Sequence, residues 1–143
     1  MKITKDTCTD LRDELDRCLP GIQKKLGIII RVGPMRYNED SITFTCKCSA
    51  AEEGVDTSDP EAVAAMEFKR HAARFKGNPD WYRRKIMLRK TVYTITGIDP
   101  DARTDAFLIA KDSDGKLFRA NHDTISVGLH DYTCFTHANQ EQT

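Results

Sequence analysis

The segment Gly77 to Lys90, GNPDWYRRKIMLRK, sets Trp81 and Tyr82 beside Arg83, Arg84, Lys85, Arg89 and Lys90. Lys69, Arg70, Arg74 and Lys76 lie just upstream. Cations at this density neutralise phosphates, and binding then draws on released counterions, while aromatic rings stack on unpaired bases. The same strip fits an acidic protein surface. It also fits a simple solvated face, with Trp81 sealing the core beneath a loop, because charge runs are usually surface and Trp is amphipathic.

The charge is concentrated. Lys69 to Lys90 holds nine Lys or Arg against one acid, Asp80, so in a chain of formal net charge zero the remainder carries −8. Part of that balance is an acidic linker, with Glu52, Glu53, Asp56, Asp59 and Glu61 and no base among them. A basic segment in an otherwise acidic chain points to a polyanionic or acidic partner, or to acids answering it within the fold.

Other reactive side chains form no recognisable site. Cys46 and Cys48 alternate onto one face of an expected strand, which separates them by about 7 Å and suits a shared zinc ion poorly. Cys134, His130 and His137 are the other conceivable ligands, but unpaired cysteines commonly act as small hydrophobes. His71 and His122 fall in no nucleophile–base pattern, and His122 and Asp123, as chain neighbours, are expected to point apart. Asp99, Asp101 and Asp105 lack the glycine and terminal glutamate of a calcium loop. No glycine-rich phosphate loop or triad motif is present. The expectation is a non-enzyme with no catalytic residues, no metal and no cofactor.

The elements that position the basic strip follow from periodicity. Thr7 and Asp10 predict a helix start, and Leu11, Leu15, Cys18, Ile22 and Leu26 recur at helical spacing, with Pro20-Gly21 predicting a kink or break and Gly27 a stop. IIIRVGPMRY and ITFTCKCSA, joined by NEDS, predict a hairpin whose second strand buries Ile42, Phe44, Cys46 and Cys48. Asp59-Pro60 predicts the cap and first turn of a second helix, lined by Ala65, Phe68, Ala72 and Phe75 and ended by Gly77. A hairpin about Leu88–Lys90 and another about Asp114-Gly115 follow, and then DTISVGL as a short strand or turn of helix. The predicted fold class is α+β: helix plus β-hairpin (1–50), acidic linker (51–58), helix plus a small SH3-like barrel or curled antiparallel sheet (59–130), and a weakly patterned, fraying tail (131–143).

This order of parts resembles a family of small proteins encoded by tailed bacteriophages. In that family a helix ends near a glycine, a segment of type Y-x-I-x-G-I-x-P-x-A-R follows, and a strand with a D-G-K hairpin completes the pattern. Here these positions are Tyr93, Ile95, Gly97, Ile98, Pro100, Ala102 and Arg103, then Asp114, Gly115 and Lys116. Pro20 and the missing Asn-Gly at Leu88–Lys90 depart from it. The resemblance implies a phage origin and a mixed α/β fold and supplies no active site.

Length and composition set the remaining bounds. A chain of 143 residues with 39% hydrophobic and 31% charged residues is long and apolar enough to fold without staples. No apolar run approaches a membrane span. The acidic, amphipathic start reads against a signal peptide, and five cysteines without an export signal read as reduced thiols. The expectation is a small phage protein in the host cytoplasm or the virion. It acts by binding a host or phage protein, or alternatively nucleic acid through residues 69–90, without a membrane.

Overall fold

The computed structural model describes residues 1–141. The chain forms two compact units, Met1–Val63 and a second beginning at Ala64.

The first unit joins helix α1 (Lys5–Leu26) to the antiparallel pair β1 (Ile28–Tyr37) and β2 (Ile42–Ala50). Thr4, not Thr7, is the N-cap. Its hydroxyl accepts from the Thr7 amide at 3.4 Å while the Thr7 hydroxyl accepts from the Thr4 amide at 3.1 Å, a reciprocal capping box one turn earlier than the sequence pattern suggests. Helix α1 also runs through Pro20 as one element. Proline forfeits one helical hydrogen bond there, but its fixed φ is compatible with the helix. Anchors on both sides of Pro20 hold the two halves: Arg12 donates to the Gly33 carbonyl at 2.7 Å, and Gln23 accepts from the Ile30 amide at 2.7 Å and donates to the Thr57 carbonyl at 2.8 Å. Gly27, at φ +66°, closes the helix by donating to the Gln23 carbonyl.

The hairpin pairs Tyr37 with Ile42 and Ile28 with Ala50, with an irregularity between Val32 and Met35 at Gly33-Pro34. Proline has no amide for the ladder, so a bulge is its natural place in a strand. Asn38 makes the turn, its side-chain oxygen accepting from the amides of Asp40 and Ser41 at 2.8 Å each. Ile42 and Phe44 are half-buried, but Cys46 and Cys48 are exposed. The expected buried stripe thus covers only the first part of β2.

The second unit contains most of helix α2 (Pro60–His71), two short 3₁₀ turns (Ala72–Phe75 and Pro79–Trp81), and strands β3 (Lys85–Leu88), β4 (Thr91–Ile98), β5 (Phe107–Lys111) and β6 (Leu117–Ala120). Helix α3 (His122–Glu141) completes it. The strands form an antiparallel meander in the order β3-β4-β5-β6. Strands β3 and β6 are its edges, so the sheet is open: of the two expected forms, an antiparallel sheet is present and an SH3-like barrel does not form among the described residues. Alternation places Ile86, Ile95, Phe107, Ile109 and Ala120 on one buried face, which meets Phe68 and Ala72 of the α2 region and Ile125 of α3.

The end of the chain differs most from expectation. DTISVGL is neither a strand nor one turn, and 131–143 is not a frayed tail up to Glu141. DTISVGL and residues 131–141 belong to the 20-residue helix α3, and the expectation for 142 and 143 lies outside the described residues. Asn121 caps it, accepting from the Thr124 amide at 2.9 Å. Gly128 permits close packing on β3: a Cβ there would fall 2.9 Å from Ile86 Cβ. Buried Ile125 and Gly128 lie three residues apart on one face. That face, rather than overall amphipathicity, holds the helix in place.

Candidate binding surface

All nine basic residues between Lys69 and Lys90 are exposed, and all belong to the second unit. The two aromatic residues of the strip are not. Trp81 is half-buried, its ring 5.6 Å from Phe107 and stacked at 6.0 Å on His122. Tyr82 is half-buried against Phe68 at 5.6 Å, with the Arg83 guanidinium 5.4 Å above its ring. Asn78 sets this loop by capping the 3₁₀ turn, accepting from the Asp80 amide at 2.9 Å. Rings committed to these contacts do not form a free stacking platform.

The cations divide into groups. Lys85 is tied across the sheet to the Asp112 carboxylate, which also accepts from the Thr94 hydroxyl at 2.7 Å. These bonds, Lys85 first and Thr94 second, hold the Asp112 carboxyl below its ordinary range. Arg89 and Lys90 are the two central residues of the β3–β4 turn, at φ +50° and +65°. Both angles positive is the type I′ pattern that Asn-Gly normally fills. Arg74 and Lys76 lie apart from these, where the end of the α2 region meets Arg103 and the start of α3.

Four non-glycine residues have positive φ among the described residues: Lys76, Arg83, Arg89 and Lys90. All four are basic and all fall within the candidate strip. Such a backbone costs a side-chain-bearing residue about 1–2 kcal/mol relative to an ordinary conformation. A glycine would adopt it freely, so each position carries a cation where a smaller residue would be less strained.

The other reactive residues are dispersed. His71 Nε2 meets the buried Glu67 carboxylate at 3.1 Å, four residues back on α2. His122 Nδ1 and Asp123 Oδ1 lie 2.9 Å apart. The expectation that these neighbours diverge fails because both occupy the first turn of α3 rather than a strand. Cys134 Sγ and His130 Nε2 are 3.6 Å apart on the same helix. The Cys46 thiol is pushed up, by desolvation first and by the adjacent Cys48 thiol second. Asp99 accepts from the Asp101 amide at 2.9 Å and from Arg119 at 2.7 Å, a structural use of that acidic loop. No group of three or more His, Cys, Asp or Glu among the described residues is arranged to hold a metal ion, and no described helix is long and apolar enough to cross a membrane.

The sequence strip did not include Arg103. Its signal was an isolated arginine in a loop, which spacing alone cannot connect to Arg74, and the β4–β5 connection brings it there. Compared with protein-family models, curated proteins and solved structures, the chain matches none.

Proposed function

We propose that this is a small non-enzymatic protein of phage origin that binds an acidic surface on a host or phage protein through exposed cations of its second unit. The observation that carries this reading is the presence of Lys76, Arg83, Arg89 and Lys90 at positive φ. Backbone strain kept beneath exposed cations is a functional signature, because folding alone favours glycine or asparagine there. The inward commitment of Trp81 and Tyr82 favours an acidic protein over an unpaired nucleic acid, whose bases need open rings. A second reading, contact with nucleic-acid phosphates, rests on the nine-to-one excess of bases over acids in this segment. The host cytoplasm or the virion is the setting that this proposal implies.

The test is affinity capture from infected cells with wild-type protein and with a variant carrying Arg84→Glu, Arg89→Glu and Lys90→Glu, each with and without nuclease. Capture that survives nuclease and is lost in the variant supports the protein partner. Capture abolished by nuclease transfers the surface to nucleic acid. Capture unaffected by charge reversal refutes both.

A further inference from the structure

We propose that the second unit carries a binding pocket for a small phosphomonoester, formed where Arg74 and Lys76, Arg103 and the first turn of α3 converge. The pocket has a volume of about 340 Å³, large enough for a phosphate and a short stem but at the small end for ligand sites. Three separate segments line it: the end of the α2 region brings Arg74 and Lys76, the β4–β5 loop brings Arg103, and the α3 start brings Asn121, His122 and Asp123. That convergence is not a property of the basic run in sequence, since Arg103 lies 13 residues beyond Lys90.

The Arg74 side chain is held in place, and the backbone places Lys76 and Arg103 beside it. Arg74 donates one guanidinium nitrogen to the Pro100 carbonyl at 3.1 Å, and its guanidinium lies 5.3 Å above the Phe75 ring. This leaves the rest of the fork for a ligand. Pro100 belongs to the loop that presents Arg103, so the two arginines are positioned by one piece of backbone. Lys76 closes its 3₁₀ turn at φ +62°. The side chains of Lys76 and Arg103 have no ion pair among the described residues, so neither cation is already neutralised.

The acid in the pocket does not cancel this charge. Asp123 is a single carboxylate against three cations, and it is engaged by His122 Nδ1 at 2.9 Å. His122 is stacked on Trp81, which fixes its ring at the pocket wall. A dianion with several acceptor oxygens matches three converging cations better than a carboxylate does, because guanidinium forks pair with phosphate oxygens two at a time. With Trp81 committed to Phe107 and His122, the stem has no free indole face to stack on. The ligand class is therefore a small phosphorylated molecule rather than a nucleotide. This pocket does not depend on the macromolecular partner proposed above.

The experiment is a titration of the uniformly ¹⁵N-labelled full chain with inorganic phosphate and then with glycerol 3-phosphate, at constant ionic strength of about 0.1 M, where long-range screening is held fixed. The expected result is saturable shifts confined to the amides of residues 74–76, 103–104 and 121–124, with dissociation constants of about 1 mM or tighter. Arg103→Ala and Arg74→Ala are each expected to weaken binding about tenfold, as loss of a charge-assisted contact does. Arg103→Lys should fall between, and Lys116→Ala, in the distant β5–β6 hairpin, should change nothing. Shifts that do not saturate, that spread over all exposed cations, or that persist unchanged in both Arg103 variants would overturn the site. Binding of inorganic phosphate without the ester would overturn the monoester assignment.

Discussion

Trp81 stacks on His122 with ring centroids 6.0 Å apart and planes 25° apart, while also lying 5.6 Å from Phe107. The loop after α2 is thereby fastened to the start of α3 and to the core of the sheet. A large ring in this position is a seal, and its loss opens a cavity beside a fully buried phenylalanine. Trp81→Ala is expected to destabilise the protein by about 2–4 kcal/mol, at the lower end of buried aromatic truncations because the ring is half-exposed. Urea unfolding measures this. The complementary observation is Trp81 fluorescence during titration with a single-stranded oligonucleotide. A seal shows no stacking quench, whereas strong quenching would restore Trp81 as a nucleic-acid platform.

The Lys85–Asp112–Thr94 cluster makes a prediction about pH. The Asp112 carboxyl is held below its ordinary value by Lys85 and then Thr94. A depressed carboxyl stabilises the fold at pH values above its unfolded pKa, and that stability is lost as pH falls through the folded pKa. Wild type should therefore lose more stability than Asp112→Asn between neutral pH and the acid side of the carboxylate range. The difference is expected to stay below about 1 kcal/mol, because both partners are partly exposed and solvent screens them. Urea midpoints at neutral pH and at about pH 3, below the ordinary carboxylate value, give the comparison. Parallel losses in the two proteins would remove Asp112 from any acid-side role.

The sequence disclosed elements whose signals are local and missed those set by distant contacts. The β5–β6 hairpin was legible because Asp114-Gly115 carries its own turn chemistry, and Gly115 indeed adopts φ +73°. Helix α3 was not, because the segment is nearly unpatterned. What fixes it is packing of Ile125 and Gly128 against Ile86 and its neighbours, contacts that span some 40 residues. The Thr7 start signal was real but incomplete: Thr7 is one half of the box, and Thr4 is the half that caps. Of the binding strip, exposure of the cations was predictable from charge alone. The inward turn of Trp81, the neutralisation of Lys85 by Asp112 and the approach of Arg103 to Arg74 all depend on chain segments far away in sequence.

Gly128 tests whether α3 is held by close packing. A Cβ at this position would sit 2.9 Å from Ile86 Cβ and 3.1 Å from a Leu88 methyl. Alanine ordinarily stabilises a helix interior by about 1 kcal/mol relative to glycine. Here the clash involves the branch carbon of a fully buried isoleucine, which cannot swing aside as a flexible chain end could. Gly128→Ala is therefore expected to reverse the usual sign and destabilise by about 1–3 kcal/mol. Val127→Ala, on the exposed side of the same helix, should be nearly neutral. A thermal melt of the pair decides it: stabilisation by Gly128→Ala would mean that α3 stands off the sheet.

The β3–β4 turn should show stability and binding moving in opposite directions. Arg89 and Lys90 occupy the two central positions at φ +50° and +65°, where L side chains are strained and Asn-Gly fits. Replacing both, as Arg89→Asn with Lys90→Gly, is expected to raise stability by about 1–2 kcal/mol, from relief of an unfavourable backbone at two residues. Leu88 pairs with Thr91 in the ladder, so the two-residue connection is retained. If the cations are kept for a partner, the same double variant should bind that partner more weakly despite its firmer fold. Arg89→Asn alone should give part of both effects. Chemical denaturation and the affinity of the captured complex are read on the same protein preparations. A variant that gains stability and binds unchanged would mean that the strained turn serves no partner, and the argument from positive φ to function would fail at this position.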